Sequence, residues 1–228
     1  EADYVFAPKV DLWDTLIEQM LVQKRALNEV VETREHALAC AKTVADRYRC
    51  NYEHANFLME TACMIFDKIK TLHGLNPSYK LLLEIAAILH DCGYFINSKH
   101  HLNSNVDIVK YTDIYGLTDK TTLITAYISR FAESETPNYR DAEFASLKGS
   151  EKIIALKLAA IFRLANSLDK SQKQKLQSVK VRLDEDKFII TAKSDSNTRL
   201  EHWAFEKCSA FFQEVFGVQP VLTVKSSL

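Results

Sequence analysis

His54, in the stretch NYEHANFLME, and the adjacent pair His90-Asp91, which ends LLLEIAAILHD, are residue types that hold divalent metals. Neutral imidazole and carboxylate suit a divalent metal when rigid elements make them converge. A cation held in this way polarises a phosphoryl oxygen and activates a bound water, the chemistry of metal-assisted phosphoester hydrolysis. His54 falls in the first turn of a predicted helix, on the same face as Leu58, Thr61 and Ile65, and so should point inward. The alternative is a buried imidazole hydrogen-bonded to Asp91 with no metal at all. The dipeptide alone leaves both readings open.

Three further groups carry charge or imidazole where a phosphorylated ligand could meet them. Lys99, His100 and His101, in SKHHLNS, either greet phosphate oxygens at the mouth of a cleft or form a polar surface loop. Arg163 sits in EKIIALKLAAIFRLANSLDKS, the most apolar helical stretch, where an unpaired guanidinium would be costly. A structural ion pair, to Asp91 or Glu84, is the expected answer, and an anionic ligand is the other. The run DKSQKQKLQSVKVR places Lys170, Lys173, Lys175, Lys180 and Arg182 with no acid after Asp169. It reads as a solvated linker or as a salt-sensitive strip for a polyanion.

The elements that position these groups are mostly helices. Only five Gly and four Pro punctuate 228 residues, so the helices should be long. Apolar spacing predicts a helix over 11–24, with Leu12, Leu16 and Met20 on one face, and another through TREHALACAKTVADRY. A third runs through NYEHANFLMETACMIFDKIKTLHG to Gly74, and a fourth carries Leu82, Ile85, Ala86 and Leu89 and closes at Gly93. Helices over 102–112 and 119–132 follow, then a Pro-containing loop at 133–139 and the apolar helix from Ser150. After Leu176 the period changes to two. VKVRLDEDKFIITAKS predicts a β-hairpin around Asp184-Glu185-Asp186, a helix carries Trp203, Phe205, Phe211, Phe212 and Phe216 as core, and PVLTVK reads as a third strand. The expected architecture is mainly α: an all-α helical domain over 1–172 followed by a small α+β subdomain over 173–228.

Composition narrows the function classes. Lys plus Arg total 29 against 30 Asp plus Glu, and the net charge of −1 argues against nucleic-acid binding through bulk electrostatics, so no DNA is expected. Five cysteines without a C-x-x-C pair do not make a disulfide framework, and a reducing cytoplasm fits them best. No apolar run approaches the roughly 20 residues of a membrane span. The first residue is Glu1, not Met, which suggests a piece of something longer.

The order H…HD resembles the HD phosphohydrolase superfamily, whose site is completed by an Asp on a later helix. A closer resemblance covers almost the whole chain. AAILHDCGYFINSKHHLNSNVDIVKYTDIYGLT is similar to the HD-like C-terminal region of the exopolyphosphatase / guanosine pentaphosphate phosphatase (Ppx/GppA) family. RLANSLDKS resembles that family's R-[IL]-A-D-A-L-D-R-S helix, and LEHWAFEKCSAFFQEVFGVQPVL resembles its closing L-x-x-W-x-x-E…F-x-x-x-F-G unit. The opening VFAPKVDLWDTLIEQML looks like the segment where the family's actin-like domains hand over to the helical region.

The resemblance implies an HD-like helical bundle and a parent activity of phosphoanhydride hydrolysis. That chemistry belongs to the N-terminal actin-like half, which is absent from this chain. Its Gly-rich phosphate loops have no counterpart among five isolated glycines. The implied site also departs from the family. Family HHKHS is here His100-His101-Leu102-Asn103-Ser104, R-Y-H is Arg130-Phe131-Ala132, and A-D-A-L-D is Ala165-Asn166-Ser167-Leu168-Asp169, with Gln172 where a His is usual. Asn166 therefore stands at the expected position of the last metal carboxylate, and an uncharged amide grips a divalent cation less well.

The expectation is a weak or vestigial divalent site (Mn or Mg) on His54, His90 and Asp91, with no tightly bound cofactor and no main catalytic centre. Lys99, His100, His101, Arg163, Lys170 and Lys173 are the phosphate-binding candidates, for polyphosphate or a phosphorylated nucleotide, and the module's role is substrate channelling, phosphate-chain binding, regulation or homodimer formation. The alternative is an active metal-dependent HD phosphohydrolase acting on a nucleotide or phosphoester.

Overall fold

The structure, a computed structural model, describes residues 12–133 and 141–226. Helix α1 spans Leu12–Arg47 as one unbroken run. Two helices were expected here, but no Gly or Pro interrupts these 36 residues, and the propagating helix has no reason to stop. Its C-terminal half buries Ala37, Ala41, Val44 and Ala45, small side chains that let neighbouring helices approach. Leu16 and Met20, expected on an apolar face, are exposed, and the side chain of Leu12 lies outside the described residues, as does most of the opening stretch.

Helix α2, Tyr52–Lys68, starts at Asn51, whose side chain accepts from the backbone N–H groups of Glu53 and His54. Ile69 breaks the helical backbone, and the short α3, Lys70–His73, ends at Gly74 in the left-handed conformation. A 3-10 turn at Pro77–Tyr79 leads into α4, Lys80–Leu89, buried on nearly every side. The chain does not leave the helical layer at Gly93, as expected. His90 and Asp91 form a turn, and α5, Cys92–Ile96, begins at once. Gly93 lies inside α5 because of crowding: a Cβ there would stand 2.0 Å from the carbonyl oxygen of His101.

Helices α6, His101–Tyr111, and α7, Asp119–Glu133, match the predicted pair. The expected loop at 133–139 lies, from 134 onward, outside the described residues. A short α8, Ala142–Ser146, capped by Asp141, was not foreseen. Then α9, Gly149–Ser167, runs through the middle of the molecule; every side chain from Leu158 to Ser167 is buried.

Strands β1, Gln177–Asp184, and β2, Lys187–Lys193, form the predicted hairpin, with Glu185 at positive φ in its turn. Helix α10, Arg199–Phe216, ends at left-handed Gly217 and returns the chain as β3, Gln219–Lys225, parallel to β2. The sheet order is β1-β2-β3. Alternate β2 residues Phe188, Ile190 and Ala192 face inward, and Phe188 stacks on Phe212 of α10 with ring centroids 5.4 Å apart. The fold is mainly α with a small α+β unit. One apolar cluster joins Leu58, Ile65, Leu158 and Ile161 to Leu176, Phe188, Ile190 and Phe212. A second packs α1 against Ile85, Leu89, Val106 and Val109. Among the described residues no helix is long and apolar enough to cross a membrane.

Candidate metal centre

Two elements converge on one buried point. His54 enters from the first turn of α2, fixed by the Asn51 cap; His90 and Asp91 come from the turn that ends α4. One ligand atom from each of His54, His90 and Asp91 lies within 4.8 Å of the other two. His54 and His90 are buried, and Asp91 is half-buried.

Hydrogen bonds fix the imidazoles. His90 Nδ1 lies 2.9 Å from the carbonyl oxygen of Ala87, which can only accept, so Nδ1 carries the proton. His54 Nδ1 lies 2.7 Å from Asp169 Oδ2, and again the imidazole donates. Both rings therefore turn an Nε2 lone pair inward, and these two atoms are 3.1 Å apart. Asp91 Oδ1 joins them, 3.2 Å from His90 Nε2. Three electron-pair donors meet with no proton of their own to share. Only an added proton or a cation relieves that. Two nitrogens bound to one metal at about 2.0–2.1 Å stand about 2.9–3.4 Å apart, depending on coordination number, and the observed separation falls inside that span. The donor set fits a divalent metal.

Asp169, in the turn beyond α9, is the residue that sequence reasoning undervalued. It is fully buried and accepts four hydrogen bonds: His54 Nδ1 and Gln174 Nε2 on Oδ2, and the backbone N–H groups of Lys173 and Gln174 on Oδ1. The carboxylate hydrogen-bonded to His54 is thus Asp169 and not Asp91. With its acceptor capacity filled it orients an imidazole, the usual task of a carboxylate behind a metal-binding histidine. Gln172, at left-handed φ, donates from Nε2 to Asp91 Oδ2 at 2.7 Å and so holds the other carboxylate.

The remaining candidates scatter. Lys99 and His100 are exposed, and their backbone N–H groups are held by Asn97 Oδ1. His101 stacks flat on Tyr94 at 3.8 Å. A cavity of about 470 Å³ is lined by Asp91, Gln172, Asn51 and Tyr94 but not by His54 or His90, and none of Lys99, His100 and His101 lines it. Cys92, next to Asp91, meets Cys50 at 3.0 Å between sulfurs. That contact, together with burial, holds the Cys92 thiol far above its ordinary range, so it offers no thiolate to a metal. All five cysteines are free.

The basic run disperses rather than forming one strip. Lys175 turns to Glu201 at 3.6 Å and to the Asn197 carbonyl; Arg182 pairs with Asp184 at 3.0 Å; Lys173 is exposed. Arg163 makes neither ion pair expected of it. Arg34 grips Glu84 through two nitrogens, Asp91 is held by Gln172, and Arg163 instead lies with Lys170 and Asn166 along a separate cavity between α9 and α10. Asn166 shares a helix face with Phe162, whose ring meets that of His90 at 5.8 Å, yet its side chain makes no hydrogen bond to His54, His90 or Asp91.

This arrangement lies wholly within residues 38–207, which match the family model described as Ppx/GppA phosphatase, domain III. The chain belongs to the Ppx/GppA phosphatase family. A search among curated proteins finds no match. Within this Ppx/GppA chain, the elements that bring His54, His90, Asp91 and Asp169 together are all inside the matched span.

Proposed function

We propose that this chain is the helical C-terminal module of a Ppx/GppA-type exopolyphosphatase relative, that it holds a divalent cation weakly through His54, His90 and Asp91, and that its role is binding and regulation rather than hydrolysis. The observation that carries the reading is the balance of the donor set. Two neutral imidazoles and one carboxylate converge, while the second carboxylate nearby, Asp169, is consumed by four donors. A single anionic ligand leaves most of a divalent charge uncompensated, so affinity should be low. Bound there, Mn or Mg would supply a Lewis acid for phosphoryl oxygens. The residues around it do the rest: Asp169 and the Ala87 carbonyl fix the imidazole tautomers, and Gln172 steers Asp91. The ligand is polyphosphate or a phosphorylated nucleotide in a cytoplasmic setting, with phosphate-chain binding, regulation and homodimer formation as the module's tasks.

A second reading, an active HD phosphohydrolase, draws support from the 470 Å³ cavity beside Asp91, wide enough to admit a phosphoester. One experiment separates the two. The purified chain is analysed for Mn, Fe and Mg and assayed for hydrolysis of polyphosphate, nucleotides and a chromogenic phosphoester, with and without chelator. Substoichiometric metal and no chelator-sensitive turnover support the binding module. Stoichiometric metal with turnover that chelator abolishes makes it an enzyme.

A further inference from the structure

Arg163 is 5% exposed, yet its Nε and Nη1 have no hydrogen-bond partner. A buried guanidinium with open donors is costly unless something answers its charge. The face of Phe211, 4.9 Å from Cζ, answers a little of it. The Cys208 thiol hydrogen-bonds to the guanidinium but brings no charge, because burial, only partly offset by Arg163 itself, pushes its pKa up and keeps it neutral. The two carboxylates within the reach suggested by sequence, Glu84 and Asp91, are engaged elsewhere. Arg163 instead lines a cavity of about 320 Å³ between α9 and α10, together with Asn166, Lys170, Lys207 and Trp203. No carboxylate lines it among the described residues. That volume is at the small end for ligand sites, enough for a phosphoryl group and its immediate neighbour.

We propose that this cavity is an oxyanion site that takes one phosphoryl group on Arg163, with Asn166, Lys170 and Lys207 around it and the Trp203 ring as one wall. Guanidinium is the group best matched to phosphate oxygens, and here it is desolvated and rigid before the ligand arrives. Asn166 has a specific part. Its amide can donate to an oxyanion, whereas an aspartate at the same position would neutralise Arg163 and repel the ligand. The site does not depend on the cation, and its test is made without one.

The full chain carrying Trp13→Phe, in which Trp203 is the remaining tryptophan, is titrated in excess EDTA with inorganic phosphate, tripolyphosphate and ADP, followed by fluorescence and calorimetry at two ionic strengths. Saturable binding in EDTA that weakens with salt is expected, and the tightest arm identifies whether the phosphoryl group is free, a chain end or part of a nucleotide. Arg163→Met should reduce affinity about tenfold or more. Because a core substitution can impair folding, the exposed Lys207→Glu and the near-isosteric Asn166→Asp, each checked by circular dichroism, are expected to weaken binding as well. Absence of binding in all three arms, or undiminished binding in folded Lys207→Glu and Asn166→Asp, overturns the proposal. So does binding that EDTA abolishes, which would place the anion at the metal centre.

Discussion

The Nδ1 proton of His54 is donated to Asp169 Oδ2 across 2.7 Å, and that carboxylate accepts three further hydrogen bonds while showing no surface to solvent. One interaction therefore serves two ends. It aims His54 Nε2 at His90, and it ties the chain beyond α9 back onto the start of α2. The candidate metal centre and the fold share a residue.

Asp169→Asn tests that double role. With four donors around it, an amide must present its own N–H₂ to at least one of them, and a donor then faces a donor. Affinity for Mn²⁺, read by calorimetry, should fall about 10–100-fold as His54 loses its orientation. Stability in urea should fall by about 2 kcal/mol or more. Unchanged Mn²⁺ affinity in a folded variant would show that Asp169 has no part in aiming the imidazole.

Gly93→Ala probes the packing that presents Asp91. The added Cβ would lie 2.0 Å from the His101 carbonyl oxygen and 2.8 Å from the Asn105 amide nitrogen, both backbone atoms that no rotamer change can move aside. Helices α5 and α6 must separate, at a cost of about 3 kcal/mol. A urea midpoint equal to that of the parent protein would mean that the two helices do not meet so closely in solution.

His73 gives a pH dependence with a definite sign. Its Nε2 donates to the Phe66 carbonyl and its Nδ1 accepts the Leu75 N–H, so both nitrogens are committed to the neutral ring. Burial is the main cause that lowers its pKa; the Phe66 bond opposes it in part, nearby Lys157 adds a lesser lowering, and Asp67 opposes least. The unfolded chain then binds more protons than the folded one between the two pKa values, and stability rises with pH there. The contribution is complete above the unfolded value of about 6.5 and is lost as pH falls from there toward the depressed folded value. Urea midpoints from pH 7.5 down to 5 should fall more steeply for the parent than for His73→Gln. Parallel curves would rule out a titrating His73.

Most of the fold was legible in the sequence, because helix periodicity and sparse punctuation left few alternatives. The β-hairpin showed in the change of period after Leu176, and the closing strand in PVLTVK. Misreadings arose where local signals met tertiary demands. Gly93 looked like a terminator, but its missing side chain is needed for the approach of His101, a partner eight residues away that no local pattern reveals. The divide between the helices of residues 12–47 was drawn without a breaker. At the site, His54, His90 and Asp91 could be placed because regular helices carry them or end at them. Asp169 could not, because α9 stops at Ser167 and helical-wheel extrapolation fails in the turn beyond, where Gln172 and Gln174 adopt positive φ. Its position just past the helix end, followed by several polar residues, was the one available hint. Arg163 was recognised as a buried cation needing a partner, but the choice between Glu84 and Asp91 depended on Arg34 and Gln172, from distant segments.

Asn166→Asp is the sharpest test of the metal reading, because it predicts two changes of opposite sign. Asn166 stands one helical turn from Phe162, which touches His90, and three residues before Asp169, which holds His54. A carboxylate there would be a second anionic ligand, and Mn²⁺ affinity should rise at least about tenfold, since charge count dominates the grip on hard cations. The same carboxylate would sit beside Arg163 and suppress phosphate binding in EDTA. Gain of metal without loss of anion would confine the error to the α9/α10 cavity. Loss of anion without gain of metal would show that the side chain at position 166 serves Arg163 alone, and that the centre at His54, His90 and Asp91 was never waiting for a fourth ligand from α9.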